Sequence, residues 1–184
     1  MTRPARVTPQ PGQEWGPATR KVLGPPGRND LPAILPVIAN HPTLLGPFLQ
    51  WSAALALEGA LEAADAELLA LRAAFLCRSD FEWAQHVEYA RSAGLEDETI
   101  AKAASDPAGA DWEPRQRILL TAAGELVLKH EISDTTWAEL EQHFDTAQLV
   151  EIPFVVGQYT MLSMVANGLG VPVGDEQAQL PEVP

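Results

Sequence analysis

The sequence predicts an all-α domain, and three observations carry that prediction. From residue 32 to residue 171, apolar side chains recur at three- and four-residue spacing, the mark of amphipathic helices. Nowhere do apolar and polar residues alternate with the period of two that a half-buried strand requires. Capping residues also bracket the periodic runs: Ser79, Ser133 and Asp145 stand before them, and Gly59, Gly94 and Gly168 after them.

The elements follow in order. Residues 1–31 hold Pro4, Pro9, Pro11, Pro17, Pro25 and Pro26 among several glycines, which predicts an irregular arm with one helical turn near Trp15 to Leu23. Pro32 to Ala39 reads as a short helix. Asn40-His41-Pro42 starts the next, with proline at the first helical position, and that helix runs to about Glu58. Ala64 to about Arg78 places Leu68, Leu71, Phe75 and Leu76 on one face. Ser79 opens a helix that closes at Gly94, and Glu96 to Ala104 is a short one. Glu113 to Lys129 carries Ile118, Leu119, Ala122, Leu126 and Val127. Ser133 caps Asp134 to His143, and Asp145 or Thr146 caps a long helix from about Ala147 to Asn167, ended by Gly168. Pro153 is expected to break or kink that last helix unless only its first turn precedes the ring. The tail, residues 172–184, reads as flexible. The domain proper is therefore 32–171, built of about seven or eight helices.

Composition narrows the function classes. A net charge of −13 argues against a nucleic-acid partner, because lysine and arginine must supply the phosphate contacts, and it disfavours anionic membranes as well. The longest apolar stretch, around Ile152 to Val165, is interrupted by Pro153, Gly157, Gln158 and Ser163, so no membrane span is expected. The first ten residues lack the apolar core of a signal peptide, and a cytoplasmic location is the expectation. One cysteine, Cys77, allows neither an internal disulfide nor a cysteine-based metal cluster. The last long helix is apolar around much of its circumference, which points to burial on more than one side and to a homo-oligomer.

The chemistry concentrates in Ser79 to His86. Ser79, Glu82 and His86 fall at i, i+3 and i+7 on one helix face. Glu82 and His86 are four residues apart, with Cβ atoms about 5–6 Å from each other. A carboxylate in a helix first turn beside an imidazole has the means for general acid–base work near neutral pH. Ser79-x-x-Glu82 is equally a capping box, in which both side chains tie up backbone donors and nothing more. The spacing alone leaves both readings open.

The run Glu67-Leu-Leu-Ala-Leu-Arg72, then Cys77-Arg-Ser-Asp-Phe-Glu82-Trp-Ala-Gln-His86, then Ala90-Arg-Ser-Ala-Gly94-Leu with Glu98 and Ile100, resembles the carboxymuconolactone decarboxylase family. Asn40-His41-Pro42, Val156-Gly-Gln-Tyr159 and Asn167-Gly-Leu-Gly170-Val also fit, so the resemblance covers about residues 15–171. It implies the all-helical fold shared with AhpD-type alkylhydroperoxidases, and assembly as a dimer, trimer or hexamer. The peroxidase branch carries Cys-x-x-Cys-x-x-x-His with an acid upstream. Counted back from His86, the cysteine positions hold Ser79 and Glu82, and the acid matches Glu67. Without a resolving thiol the dithiol cycle cannot close. The decarboxylase branch keeps an acid and a histidine, but a carboxylated lactone calls for a basic clamp, and only Arg72, Arg78 and Arg91 stand nearby.

The resemblance thus implies a cofactor-independent enzyme acting on a small organic molecule by decarboxylation, isomerisation or cyclisation. Glu82 and His86 handle protons, Glu67 orients or relays, and Ser79, Cys77, Trp83 and Tyr159 shape the substrate pocket. Residue chemistry alone also reads Trp83 as core, Cys77 as a small buried hydrophobe and Tyr159 as a buried phenol with its hydroxyl paired. No metal is expected, because Glu82 and His86 supply two ligands and spacing nominates no third. Two rivals stand beside this reading: a peroxidase working through Cys77 with an external thiol, and a non-catalytic ligand-binding or assembly protein.

Overall fold

The computed structural model describes residues 4–28, 30–109, 111–174 and 177–182, so the extreme ends of the arm and tail lie outside the described residues. Nine α-helices and no strand form among them: α1 Pro17–Leu23, α2 Ile34–Ile38, α3 Pro42–Glu58, α4 Ala63–Leu76, α5 Asp80–Ser92, α6 Asp97–Lys102, α7 Pro114–Lys129, α8 Asp134–Leu140 and α9 Thr146–Leu169. The all-α expectation holds.

The chain divides into two compact units, residues 1–59 with 165–174 and residues 60–164 with 175–184. In the first, Trp15 and Leu23 of the proline-rich arm are buried with Ala39 and Leu45. The Trp15 indole donates to the Gln10 carbonyl at 3.0 Å, so the arm carries its own small core. The arm also holds a single 3-10 turn, Gly12–Glu14, besides α1. α3 starts at Pro42 and stops before Gly59 as the sequence predicts, yet Leu45 is its one buried residue.

In the second unit α4 packs on α5 and on α7. Leu71 and Phe75 from α4, Trp83 and Val87 from α5, and Leu120 from α7 share one apolar cluster, on which Ala178 and Leu180 of the tail also lie. The short helices α2 and α6 are trimmed at both ends relative to the sequence reading, and α8 and α9 differ more. α8 ends at Leu140 rather than His143. α9 continues through Pro153, whose ring removes only the N–H that would bond the Leu149 carbonyl. Gly168 stays helical, and the stop comes at Gly170, with φ +70° and the Val171 N–H returning to the Ala166 carbonyl at 3.0 Å. A Cβ at Gly170 would also collide with the Pro4 carbonyl oxygen.

α9 reaches membrane-spanning length and hydropathy, a reading the interrupted stretch in the sequence did not suggest, and half of the relevant window is buried within protein. Its one acid, Glu151, is buried and accepts hydrogen bonds from the Ala60 and Leu61 N–H groups, the latter at 3.2 Å. It thereby ties the entry to α4 onto α9. Hydrogen bonds to a charged group contribute about 1.5–3 kcal/mol. Glu151→Leu is expected to lower the unfolding free energy by that amount, measured by urea denaturation.

Candidate active site

The turn between α4 and α5 sets the site. Arg78 adopts φ +52°, the left-handed conformation. This lets the Arg78 N–H bond the Phe75 carbonyl and the Ser79 N–H bond the Ala74 carbonyl, both at 3.0 Å. These two bonds are a Schellman closure of α4, with arginine where glycine is usual. Ser79, fully buried, then caps α5 by accepting from the Glu82 N–H at 3.4 Å.

That closure decides what Glu82 does. In a capping box the glutamate returns to the N-cap N–H. Here the Ser79 N–H is already taken by Ala74, so Ser79 caps and Glu82 does not. The Glu82 side chain is buried instead, with Oε1 lacking a hydrogen-bond partner among the described residues. Oε2 lies 3.6 Å from Nε2 of His86, too far for a hydrogen bond. Burial pushes its carboxyl up to about 7, against the opposing pull of the His86 imidazole.

His86 is buried and held from its other side, where Nδ1 and Oε2 of Glu67 are 2.7 Å apart. Glu67 reaches it from α4. With Glu67 holding Nδ1, Nε2 is turned towards Glu82, the geometry of a carboxylate–histidine pair. The two carboxylates flank opposite edges of the ring and do not converge on one point, as joint metal ligands would have to.

Two phenols complete the ring of groups. The Tyr159 ring from α9 meets the imidazole edge-on at a centroid separation of 4.2 Å, and the Tyr89 ring does so at 5.4 Å. The chain has no other tyrosine. Burial and the Glu67 and Glu82 charges raise both phenol pKa values, which keeps the hydroxyls protonated. Tyr89 is absent from the sequence reading although Glu82, His86 and Tyr89 fall at i, i+4 and i+7, a same-face signal that was there to use.

Of the other residues singled out, Trp83 goes to the apolar cluster, edge-on to Phe75 at 6.3 Å. Cys77 is the half-buried C-cap of α4. Burial pushes its thiol up, and the Thr160 and Ser163 hydroxyls pull the other way. A raised thiol is the reverse of what a peroxide-reducing thiolate needs. The three arginines nominated to clamp a carboxylate all donate to other oxygens. Arg72 is buried and donates to the Ala103 and Ser105 carbonyls at 3.2 and 2.7 Å, Arg78 donates to the Pro181 carbonyl at 3.5 Å, and Arg91 pairs with Glu88 and Asp97 at 2.6 and 2.8 Å.

Residues 42–125, which hold Glu67, Glu82 and His86, match the profile of the carboxymuconolactone decarboxylase family. Over that span, a little under half of the chain, the sequence is similar to this family. Solved structures agree on the fold across nearly the whole chain. A peroxidase-related protein with an alkylhydroperoxidase AhpD core from Ralstonia eutropha JMP134 is 21% identical with a TM-score of 0.74, covering 95% of each chain. A peroxidase-related protein from Silicibacter sp. TM1040 is 17% identical with a TM-score of 0.77, covering 95% of this chain and 94% of its own. A cysteine-to-alanine form of the debrominase Bmp8, solved with 2,3,4-tribromopyrrole, is 13% identical with a TM-score of 0.76 and 95% coverage of both chains. At these identities the likeness is one of fold. No curated protein sequence matches the chain.

Proposed function

We propose that this protein is a member of the carboxymuconolactone decarboxylase family and a cofactor-independent enzyme that moves protons on a small organic molecule. Glu82 and His86 are the transferring groups and Glu67 is the positioning acid. The observation that carries the reading is the release of Glu82 from capping: a buried carboxyl with an unpartnered oxygen stands beside an imidazole nitrogen that is itself uncommitted. Groups that served only the fold would be paired.

Decarboxylation, isomerisation and cyclisation of an activated carbonyl compound share one demand, a proton delivered to or taken from carbon as an enolate forms or collapses. In this site the protonated Glu82 would donate, His86 Nε2 would accept, and the Glu67 carboxylate would stabilise the imidazolium. Family membership and a debrominase of the same fold are in keeping with an enzyme handling small molecules. The test is turnover of activated carbonyl compounds, followed by carbon dioxide release and by NMR of the products. The compound consumed fastest is then offered to Glu82→Gln and His86→Ala. Loss of turnover in both supports the assignment, and full turnover in both ends it.

The enzyme is further proposed to work in the cytoplasm as a homo-oligomer. Val150, Phe154, Met161 and Met164 form an exposed apolar stripe on one face of α9. Two copies of a chain with net charge −13 repel, and an uncharged stripe is where they approach at least cost. Phe154→Glu is expected to lower the mass measured by sedimentation from an oligomer towards the single chain. A wild-type chain that sediments as a monomer at micromolar concentration would refute the assembly.

A further inference from the structure

We infer that the molecule handled at His86 is uncharged, a neutral carbonyl compound or phenol-like ring rather than a carboxylate. This rests on the proton-transfer reading of the same site, names its substrate class and, because loss of carbon dioxide starts from a carboxylate, narrows the reaction to isomerisation or cyclisation. The reason lies in where the positive charge of residues 60–164 goes. Recognition of a carboxylate in a buried site uses a guanidinium or ammonium with free donors. Arg72, Arg78 and Arg91, the cations on and beside α4 and α5, each donate to other oxygens as described above. The buried Arg72 Nε has no hydrogen-bond partner among the described residues, but it belongs to a guanidinium drawn to the Ala103 and Ser105 carbonyls. Arg115 pairs with Asp65 at 2.6 Å and stacks over Phe144 at 4.0 Å, while Lys102 lies over the Trp112 ring at 4.8 Å.

What faces His86 has the opposite character. Glu67 and Glu82 stand on its two nitrogens, and Tyr89 and Tyr159 on its ring. A bound carboxylate would meet two acids, with no compensating cation against them among the described residues of this unit, and a buried site screens that repulsion poorly. The phenol hydroxyls are protonated donors suited to a neutral carbonyl or hydroxyl oxygen. Tyr89, 47% exposed, is the open edge of this cluster, and Glu67 and Tyr159 are partly exposed behind it. An approaching anion therefore meets phenols and an acid and no cation among these four groups. The arrangement selects by charge as well as by shape, and it turns away the carboxylated lactones for which the family is named.

Matched pairs differing by one carboxylate test this: γ-butyrolactone against 5-oxotetrahydrofuran-2-carboxylate, and phenol against 4-hydroxybenzoate. Each is titrated at pH 8 into the full chain carrying 15N-labelled histidine, with the His86 resonance assigned by its loss in His86→Gln. The expected result is that a neutral member shifts the His86 signal and its carboxylate binds at least about tenfold more weakly. The gap narrows in Glu82→Gln, because one of the repelling charges is gone. A carboxylate that binds as tightly as its neutral partner overturns the inference, and so does a panel in which no neutral member shifts His86. Either failure leaves the turnover test on Glu82→Gln and His86→Ala standing, so the two readings fall separately.

Discussion

His86→Ala is expected to slow turnover by about 10²–10⁴-fold, the contribution of a positioned acid–base group. The argument begins at Nδ1. Glu67 holds that edge of the ring at 2.7 Å, which presents Nε2 towards Glu82 and fixes which nitrogen exchanges protons. Removing the ring leaves a void in a buried position and brings two carboxylates to face each other across it. A second variant therefore separates chemistry from folding. His86→Gln keeps most of the volume and a donor towards Glu67, but its amide cannot take up a proton at neutral pH. Both variants are expected to lose the same large factor. Glu67→Gln is expected to lose less, and to lose it in kcat with KM little changed, because Glu67 acts through the imidazole. Retained turnover in His86→Gln would show that the imidazole is structural.

The sequence made α5 readable at both ends, because Ser79 and Gly94 each have a definite local job. The Glu82–His86 pair was readable for the same reason: four residues on a helix is a fixed distance. Glu67 could be nominated only through the family resemblance, since it lies on a different helix and nothing in its own run points at His86. The step that decides the site was not readable at all. Whether Glu82 caps or is free depends on the Ser79 N–H, and that group is taken because Arg78 adopts a left-handed conformation. A glycine there would have announced the Schellman closure, and an arginine does not. Trp83 illustrates a second limit. Its neighbours Glu82 and Ala84 are also buried, so α5 is enclosed around much of its circumference and the helical period could not say which face meets substrate. Arg72 illustrates a third, since a long side chain near a site can turn its guanidinium towards distant carbonyls.

Between pH 4.5 and pH 7 the wild-type protein is expected to lose about 3 kcal/mol of stability that Glu82→Gln keeps. Burial raises the Glu82 carboxyl from 4.5 to about 7 on folding. Across that interval the folded chain holds a proton that the unfolded chain has released, so stability falls as pH rises and the loss is complete above pH 7. At about 1.4 kcal/mol per pH unit the interval corresponds to about 3 kcal/mol, and with Glu82 only 2% exposed, solvent screening takes little from it. Glutamine resembles the protonated acid in shape and charge. The variant should therefore match wild type at pH 4.5 and exceed it at pH 8. Asp65, also raised by burial, titrates in both proteins and cancels in the comparison. Urea unfolding of the two proteins at both pH values measures the difference, and parallel losses would show that Glu82 is ionised at little cost. A variant that gains stability while losing turnover is what a functional acid predicts, because a carboxyl kept in a costly place is kept for its chemistry.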